Sequence, residues 1–375
     1  MNFTKKIFFF LIVVSFTVSG KLFAQENTTL KDVFKNDFLI GAAINQWQIM
    51  GRDTIGDKIV ETQFNSISPE NVLKWGPVNP EPGKYNFGPA DRYVEFGEKY
   101  NMFIIGHNLV WHSQTPRWVF QDDNGNPADR ETLLKRMHDH ISTVVGRYKG
   151  KIKGWDVVNE ALNEDGTLRK SPWMRIIGDD YIEKAFEFAH EADPDAELYY
   201  NDYSLENKPK REGAIKLIKE LQQKGIHITG IGDQMHIQMD WPSLAQVDSM
   251  MNDFGKLGIK VMITELDISV LPNPGNNYGA DVSQNYEIQK KLNPYKDGLP
   301  DSVSQALADR YASIFKVLEK HSDIISRVTF WGVRDGDSWL NNWPVRGRTN
   351  YPLLFDRSGK PNAAFYEVIK TVKTN

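Results

Sequence analysis

Residues 153–160 read Lys-Gly-Trp-Asp-Val-Val-Asn-Glu, and residues 260–267 read Lys-Val-Met-Ile-Thr-Glu-Leu-Asp. Each holds a short β-type run, Lys153–Val158 and Lys260–Thr264, that leads into a glutamate. Six more such runs punctuate the chain: Phe38–Ala43, Phe64–Ser68, Met102–Gly106, Glu197–Tyr200, Ile228–Ile231 and Arg327–Gly332. Helical periodicity occupies several of the intervals. In Glu131–Tyr148 the residues Leu133, Leu134, Met137, Ile141, Val144 and Val145 share one stripe, as an amphipathic helix requires. Tyr181–Ala192, Arg211–Lys224, Ser243–Leu257 and Ser304–Lys320 read the same way. Strand–helix alternation predicts a parallel sheet. Eight repeats predict an α/β fold with a single (β/α)8 TIM barrel, which needs about 250 residues and tolerates insertions. The competing doubly wound sheet would place a Gly-x-Gly-x-x-Gly loop after the first strand, and none is there.

The residues that follow each run sharpen this expectation. In order they are Asn45; Glu70 and Asn71; His107 and Asn108; Asn159 and Glu160; Asn201 and Asp202; Gln234 and His236; Glu265 and Asp267; and Trp331, Arg334 and Asp335. A barrel gathers the C-terminal ends of its strands on one face, where active sites lie. Asn and Asp also mark where strands stop, but that does not account for the His, Glu and Trp.

Composition narrows the chemistry. The chain has 375 residues, 40% of them hydrophobic and 25% charged, ordinary values for a globular protein. Length alone suggests two or three domains, although a barrel runs well past 200 residues as one. Lys and Arg number 45 against 49 Asp and Glu, a net charge of −4, so nucleic acid is not an expected partner. With no cysteine, thiolate nucleophiles, disulfides and Cys-ligated metals are excluded. Aromatic residues make up 12%, with ten Trp.

Residues 1–24 have the form of an export signal. Lys5 and Lys6 precede the apolar run Ile7–Val18, and small residues offer a cleavage point after Ala24, with Gly20 as a second. The run is shorter than the ~20 residues a membrane span needs. The remainder, 25–375, is expected to be one secreted or periplasmic barrel domain, monomeric, free of the membrane and without a lipid anchor.

Two carboxylates dominate what remains. There is no Gly-x-Ser-x-Gly elbow and no His-Glu-x-x-His, and His107 and His112 lack the pairing of a zinc site. No metal or cofactor is expected, and activity should be indifferent to a chelator. Glu160 and Glu265 stand 105 positions apart. At roughly 31 to 35 residues per βα unit that is about three units, which sets the pair on opposite sides of the barrel mouth. Facing carboxylates beside Trp and amide side chains are what cleavage of a glycosidic bond requires.

These segments resemble glycoside hydrolase family 10, the endo-β-1,4-xylanases. The resemblance rests on Gly41–Asn45, Phe64–Asn71 with Lys74 and Trp75, His107–His112, Trp155–Glu160, Gly232–His236, Ile263–Asp267 and Trp331–Trp339, in family order. It implies a retaining endo-1,4-β-xylanase acting on xylan and xylo-oligosaccharides. Glu160 matches the acid/base and Glu265 the nucleophile, and retention wants carboxyls about 5 to 5.5 Å apart. The acid needs a proton near neutral pH, favoured by Trp neighbours and the charge of Glu265. His236 would hydrogen-bond Glu265, Asp267 would orient His236, and Asn159 would meet the sugar 2-hydroxyl.

The resemblance also places Glu70, Asn71, Lys74, His107, Trp111 and Gln114 on the non-reducing side of a cleft. Trp331 and Trp339 would surround the sugars at the cleavage point, and Asn201 and Tyr203 would lie toward the leaving group, with Gln234 also in contact with substrate. Sugar rings stack apolar faces on aromatics and offer hydroxyl rims to amides and charges. Trp75, Trp118, Trp155, Trp173 and Trp241 read as packing. Val270–Pro300, rich in Pro, Gly and Asn, is expected to overhang the leaving-group side. Two alternatives remain: β-1,4-glucan cleavage by the same residues, and a non-catalytic sugar-binding barrel, which would not need both glutamates.

Overall fold

The computed structural model describes residues 28–273 and 291–372. The export signal read in residues 1–24 lies outside the described residues, as does the middle of the 270–300 segment.

The strands are all parallel: β1 Leu39–Ile44, β2 Ser66–Pro69, β3 Phe103–Trp111, β4 Gly154–Asn159, β5 Glu197–Asp202, β6 Gly230–Asp233, β7 His236–Gln238, β8 Lys260–Ser269 and β9 Ile325–Phe330. β1 to β6 pair in sequence, β6 pairs with β8, and β9 joins β8 to β1. This closes the eight-stranded TIM barrel that the alternation predicted. The short β7, absent from the sequence reading, lies beside the outer part of β8 with His236 opposite Asp267.

The surrounding helices are Thr54–Gln63, Gly88–Lys99, Arg130–Arg147, Tyr181–Ala192, Lys208–Gln223, Leu244–Gly255, Asp301–Lys320 and Ala363–Ile369. Local chemistry sets their starts. Asp129 accepts from the Thr132 amide at 2.7 Å, and Ser243 with Gln246 forms a capping box, each satisfying amides a helix start leaves open. The predicted stripe of the third helix packs inward, with Leu133, Met137, Ile141, Val144 and Val145 buried.

Inside the barrel, Ile105, Tyr199 and Met262 form a separate cluster, with the Arg327 guanidinium 5.5 Å from the Tyr199 ring. Two glycines make room for large rings. A Cβ on Gly106 would lie 2.0 Å from the Trp155 ring, and one on Gly154 would lie 2.5 Å from the Tyr199 hydroxyl.

The register differs from ideal where the strands approach the open face. Shifts fall between His107 and Val110, between Asp156 and Val158, and between Ile263 and Leu266. Such irregularities re-aim side chains. β3 and β8 also extend through Trp111 and Ser269, beyond the apolar runs that announced them. Their polar side chains find partners on neighbouring elements: His107 meets Asp156 of β4, and Thr264 and Glu265 meet Asn201 of β5.

Candidate active site

Glu160 directly follows β4. Its backbone takes the left-handed conformation, φ 56°, uncommon for a residue with a side chain. Two hydrogen bonds hold it there: its amide donates to the Asn201 carbonyl at 2.8 Å, and its own carbonyl accepts from Arg169 Nε at 3.1 Å. Arg169 Nη2 also donates to the Leu162 carbonyl and to the Tyr203 hydroxyl, at 3.2 and 2.9 Å. The Glu160 carboxyl so presented faces neutral donors. Trp111 Nε1 lies 2.9 Å away, Gln234 Nε2 3.2 Å and Asn159 Nδ2 3.3 Å.

Glu265, inside β8, is buried and has different company. Asn201 Nδ2 donates to it at 3.0 Å, and His236 Nε2 lies 3.2 Å away. His236 Nδ1 is 3.0 Å from Asp267 Oδ1, and Asp267 Oδ2 accepts from Trp339 Nε1 at 2.8 Å. Burial works against a charge on His236, but Asp267 and Glu265 outweigh it and raise the imidazole to about 10. Burial also pushes the Glu265 carboxyl up. The hydrogen bond from His236 and the positive fields of His107, His236 and Lys74 prevail, leaving it below the ordinary value. One carboxylate is thus kept ionised by a charged imidazole at its back.

Amides link the two carboxyls. Asn201 Nδ2, besides its bond to Glu265, donates to Asn159 Oδ1 at 2.8 Å. Asn159 Nδ2 in turn reaches Glu160, and Thr264 Oγ1 locks Asn201 from below at 2.7 Å. The sequence placed Asn201 on the leaving-group side of a cleft. The structure differs: Asn201 is fully buried beneath both glutamates, because the inward face at the end of β5 points into the barrel mouth and not along its rim.

Around this pair, Lys74 is buried with its ammonium 3.0 Å from Asn71 Oδ1 and 5.0 Å from the Trp111 ring centroid. Burial lowers its ammonium while Glu265, Glu70 and Glu160 counter that shift, so three carboxylates converge on one cation. The half-buried Glu70 is raised by burial, with Lys74 opposing. His107 Nδ1 contacts Asp156 Oδ2 at 2.9 Å, and its ring meets Trp331 edge-on at 5.3 Å. Trp331 is nearly covered, whereas Trp339 is half-buried and lies 4.8 Å from the His236 ring. Asn71 and Gln114 are exposed, and Tyr203 joins the site through Arg169.

The structure therefore gathers Asn159, Glu160, Gln234, His236, Glu265, Asp267, Lys74, Trp111, His107, Trp331 and Trp339 into one polar cluster at the barrel mouth. Sequence reasoning missed Asp156, Thr264 and Arg169. Alternation along β4 signals that Asp156 points inward. Nothing in the sequence of the loop after Glu160 singles out Arg169. Trp75, Trp155 and Trp173 are buried, as their packing reading requires, and Trp118 and Trp241 are partly so.

Comparison with known proteins agrees with this geometry. The family model for glycosyl hydrolase family 10 matches residues 29–371. Endo-1,4-beta-xylanase A of Xylanibacter ruminicola is 48% identical over 347 residues, covering 92% of this chain and 94% of the relative. The solved structure of a GH10 endoxylanase from a sugarcane soil metagenome superposes with a TM-score of 0.87 at 44% identity, covering 92% of this chain and all of that one (100%). A mutant solved in complex with xylotriose gives a TM-score of 0.82 at 36% identity, covering 91% and 99%. A closed eight-stranded barrel, a glutamate pair at its mouth and a family match over nearly the whole described chain place this protein in one group: it belongs to glycosyl hydrolase family 10.

Proposed function

We propose that this protein is an endo-1,4-β-xylanase that cleaves internal linkages of xylan with retention, through a covalent glycosyl-enzyme intermediate. The observation that carries the mechanism is the contrast between the two carboxyls. Glu265 has a charged His236 behind it and is held ionised, as a nucleophile must be. Glu160 stands apart from that imidazole at the end of β4, hydrogen-bonded by Trp111, Gln234 and Asn159, and takes the acid/base role.

Glu265 attacks the anomeric carbon while Glu160 protonates the departing glycosidic oxygen, and the leaving chain diffuses away. Glu160, now a carboxylate, takes a proton from water. That water attacks the anomeric carbon, expels Glu265 and restores the starting configuration. In this reading the Asn159 amide meets the 2-hydroxyl of the sugar at the nucleophile, a contact that strengthens in the transition state. Trp331 and Trp339 offer aromatic surface to the ring under attack.

Proton NMR of the first products from xylan tests the reading. The β-anomer should appear first and mutarotate later, and carboxymethyl cellulose should be a much poorer substrate. An initial α-product would overturn double displacement, and equal rates on the two polymers would overturn the substrate assignment. We also propose export directed by residues 1–24, checked by N-terminal sequencing of protein recovered outside the cytoplasm.

A further inference from the structure

Trp47 belongs to neither the cluster at the barrel mouth nor the packing layer. It is 64% exposed, in a short helix, Gln46–Ile49, that begins where β1 ends. An indole held in solvent offers a large flat apolar face on which a ring can stack. Side-chain hydrogen bonds fix the backbone that carries Trp47. Asn45 Oδ1 accepts from the amides of Trp47 and Gln48 at 2.9 and 3.3 Å, and Gln48 Oε1 accepts from the Asn45 amide at 2.9 Å. The buried Gln48 then donates to Asp53 and Asp337 at 3.2 and 3.3 Å. Arg334 spans the same two carboxylates, 2.8 Å from Asp53 and 2.9 Å from Asp337. This polar bracket ties the rim after β1 to the loop after β9, and Trp47 is the large side chain it presents to solvent.

The surroundings suit a sugar. Arg52 lies 5.7 Å from the indole centroid, and its amide donates to the Trp47 carbonyl at 2.8 Å. Gln46, Trp47, Met50 and Arg52 line a depression of about 210 Å³, smaller than the ~300 Å³ of an ordinary small-molecule site and suited to one ring laid on an aromatic face beside a cation and an amide. The position is also specific. The Glu70 amide donates to the Ile44 carbonyl at 3.0 Å, so the strand end from which this helix starts is paired with the strand end that leads into Glu70 and Asn71.

We infer that Trp47 and Arg52 form a distal binding site for a backbone pyranose of the polysaccharide, beyond the sugars held by Glu70, Asn71 and Lys74 on the non-reducing side. The inference rests on the xylanase reading of the glutamate pair. The ring stacks on the Trp47 indole while Arg52 and Gln46 reach its hydroxyls. Long chains gain binding there, and short ones never reach it.

The test compares Trp47→Ala with the parent on linear xylohexaose and on an aryl β-xylobioside, which is too short to extend beyond the central sugars. Circular dichroism should be unchanged, since the indole is mostly in solvent. The ratio of kcat/KM on the hexaose to that on the aryl glycoside should fall about 2- to 10-fold, as loss of one aromatic contact implies, and Trp47→Phe should recover most of it. An unchanged ratio would overturn the inference, as would an equal fall on both substrates. A loss seen only on uronic-acid-decorated xylan would assign the site to side groups and overturn the backbone assignment. A parent inactive on every xylose substrate would instead refute the xylanase reading itself.

Discussion

His236 Nε2 lies 3.2 Å from Glu265 Oε2, and the opposite nitrogen of the same ring faces Asp267 at 3.0 Å. An imidazole between two carboxylates donates from both nitrogens only when charged. The charge has a pH signature. His236 is raised to about 10 in the folded protein, against about 6.5 in an unfolded chain. A group whose value rises on folding contributes stability that is complete below the unfolded value and is lost as pH climbs through the folded one. The melting-temperature gap between parent and His236→Gln should therefore be widest near pH 6 and close toward pH 10. A gap that stays constant over that range would mean that folding does not raise the imidazole. Turnover in the variant should also lose its acidic plateau, because Glu265 loses the hydrogen bond that does most to hold its carboxyl below the ordinary value.

Glu265→Ala should reduce hydrolysis of xylan to background while the protein still binds xylo-oligosaccharides. Isothermal titration and a reducing-sugar assay on the same preparation separate the two. Residual turnover near the parent rate would refute the nucleophile assignment. Loss of binding together with activity would point to a collapsed cleft.

Asn201 tests the amide link between the two glutamates. It is fully buried and donates to both Glu265 and Asn159, so Asn201→Ala leaves two acceptors short of a partner. Such a loss costs about 1–3 kcal/mol, which predicts about a 10- to 100-fold fall in kcat with KM nearly unchanged. A rise in KM at constant kcat would return Asn201 to the leaving-group side of the cleft, where the sequence reading put it.

The difference over Asn201 shows where sequence reasoning stops. The barrel was legible because strand runs recur at a steady spacing, and both glutamates because each follows such a run. The burial of Asn201 was not legible: residues at a strand end look alike whether they line a cleft or lie under its floor. Only the register shifts at Asp156 and Ile263 decide which way each side chain turns. Arg169 was invisible for a related reason. It acts through the Glu160 carbonyl at 3.1 Å, and a loop arginine carries no mark of the backbone it will hold. β7 escaped because three residues are too few for alternation to register.

The proton of Glu160 predicts a dependence on leaving group. If Glu160 protonates the glycosidic oxygen, Glu160→Ala should slow xylan hydrolysis by about 10²- to 10⁴-fold, the usual contribution of a positioned acid. An aryl xylobioside with a nitrophenolate leaving group needs little protonation, so its first step should fall far less, and product release should show a burst as the glycosyl-enzyme accumulates. Added azide, a nucleophile that needs no general base, should then speed turnover and yield the β-glycosyl azide. Equal losses on xylan and on the activated substrate would remove Glu160 from proton transfer. The α-azide would place the attack on the opposite face and remove Glu265 as the covalent partner, so this one variant checks the roles of both carboxyls.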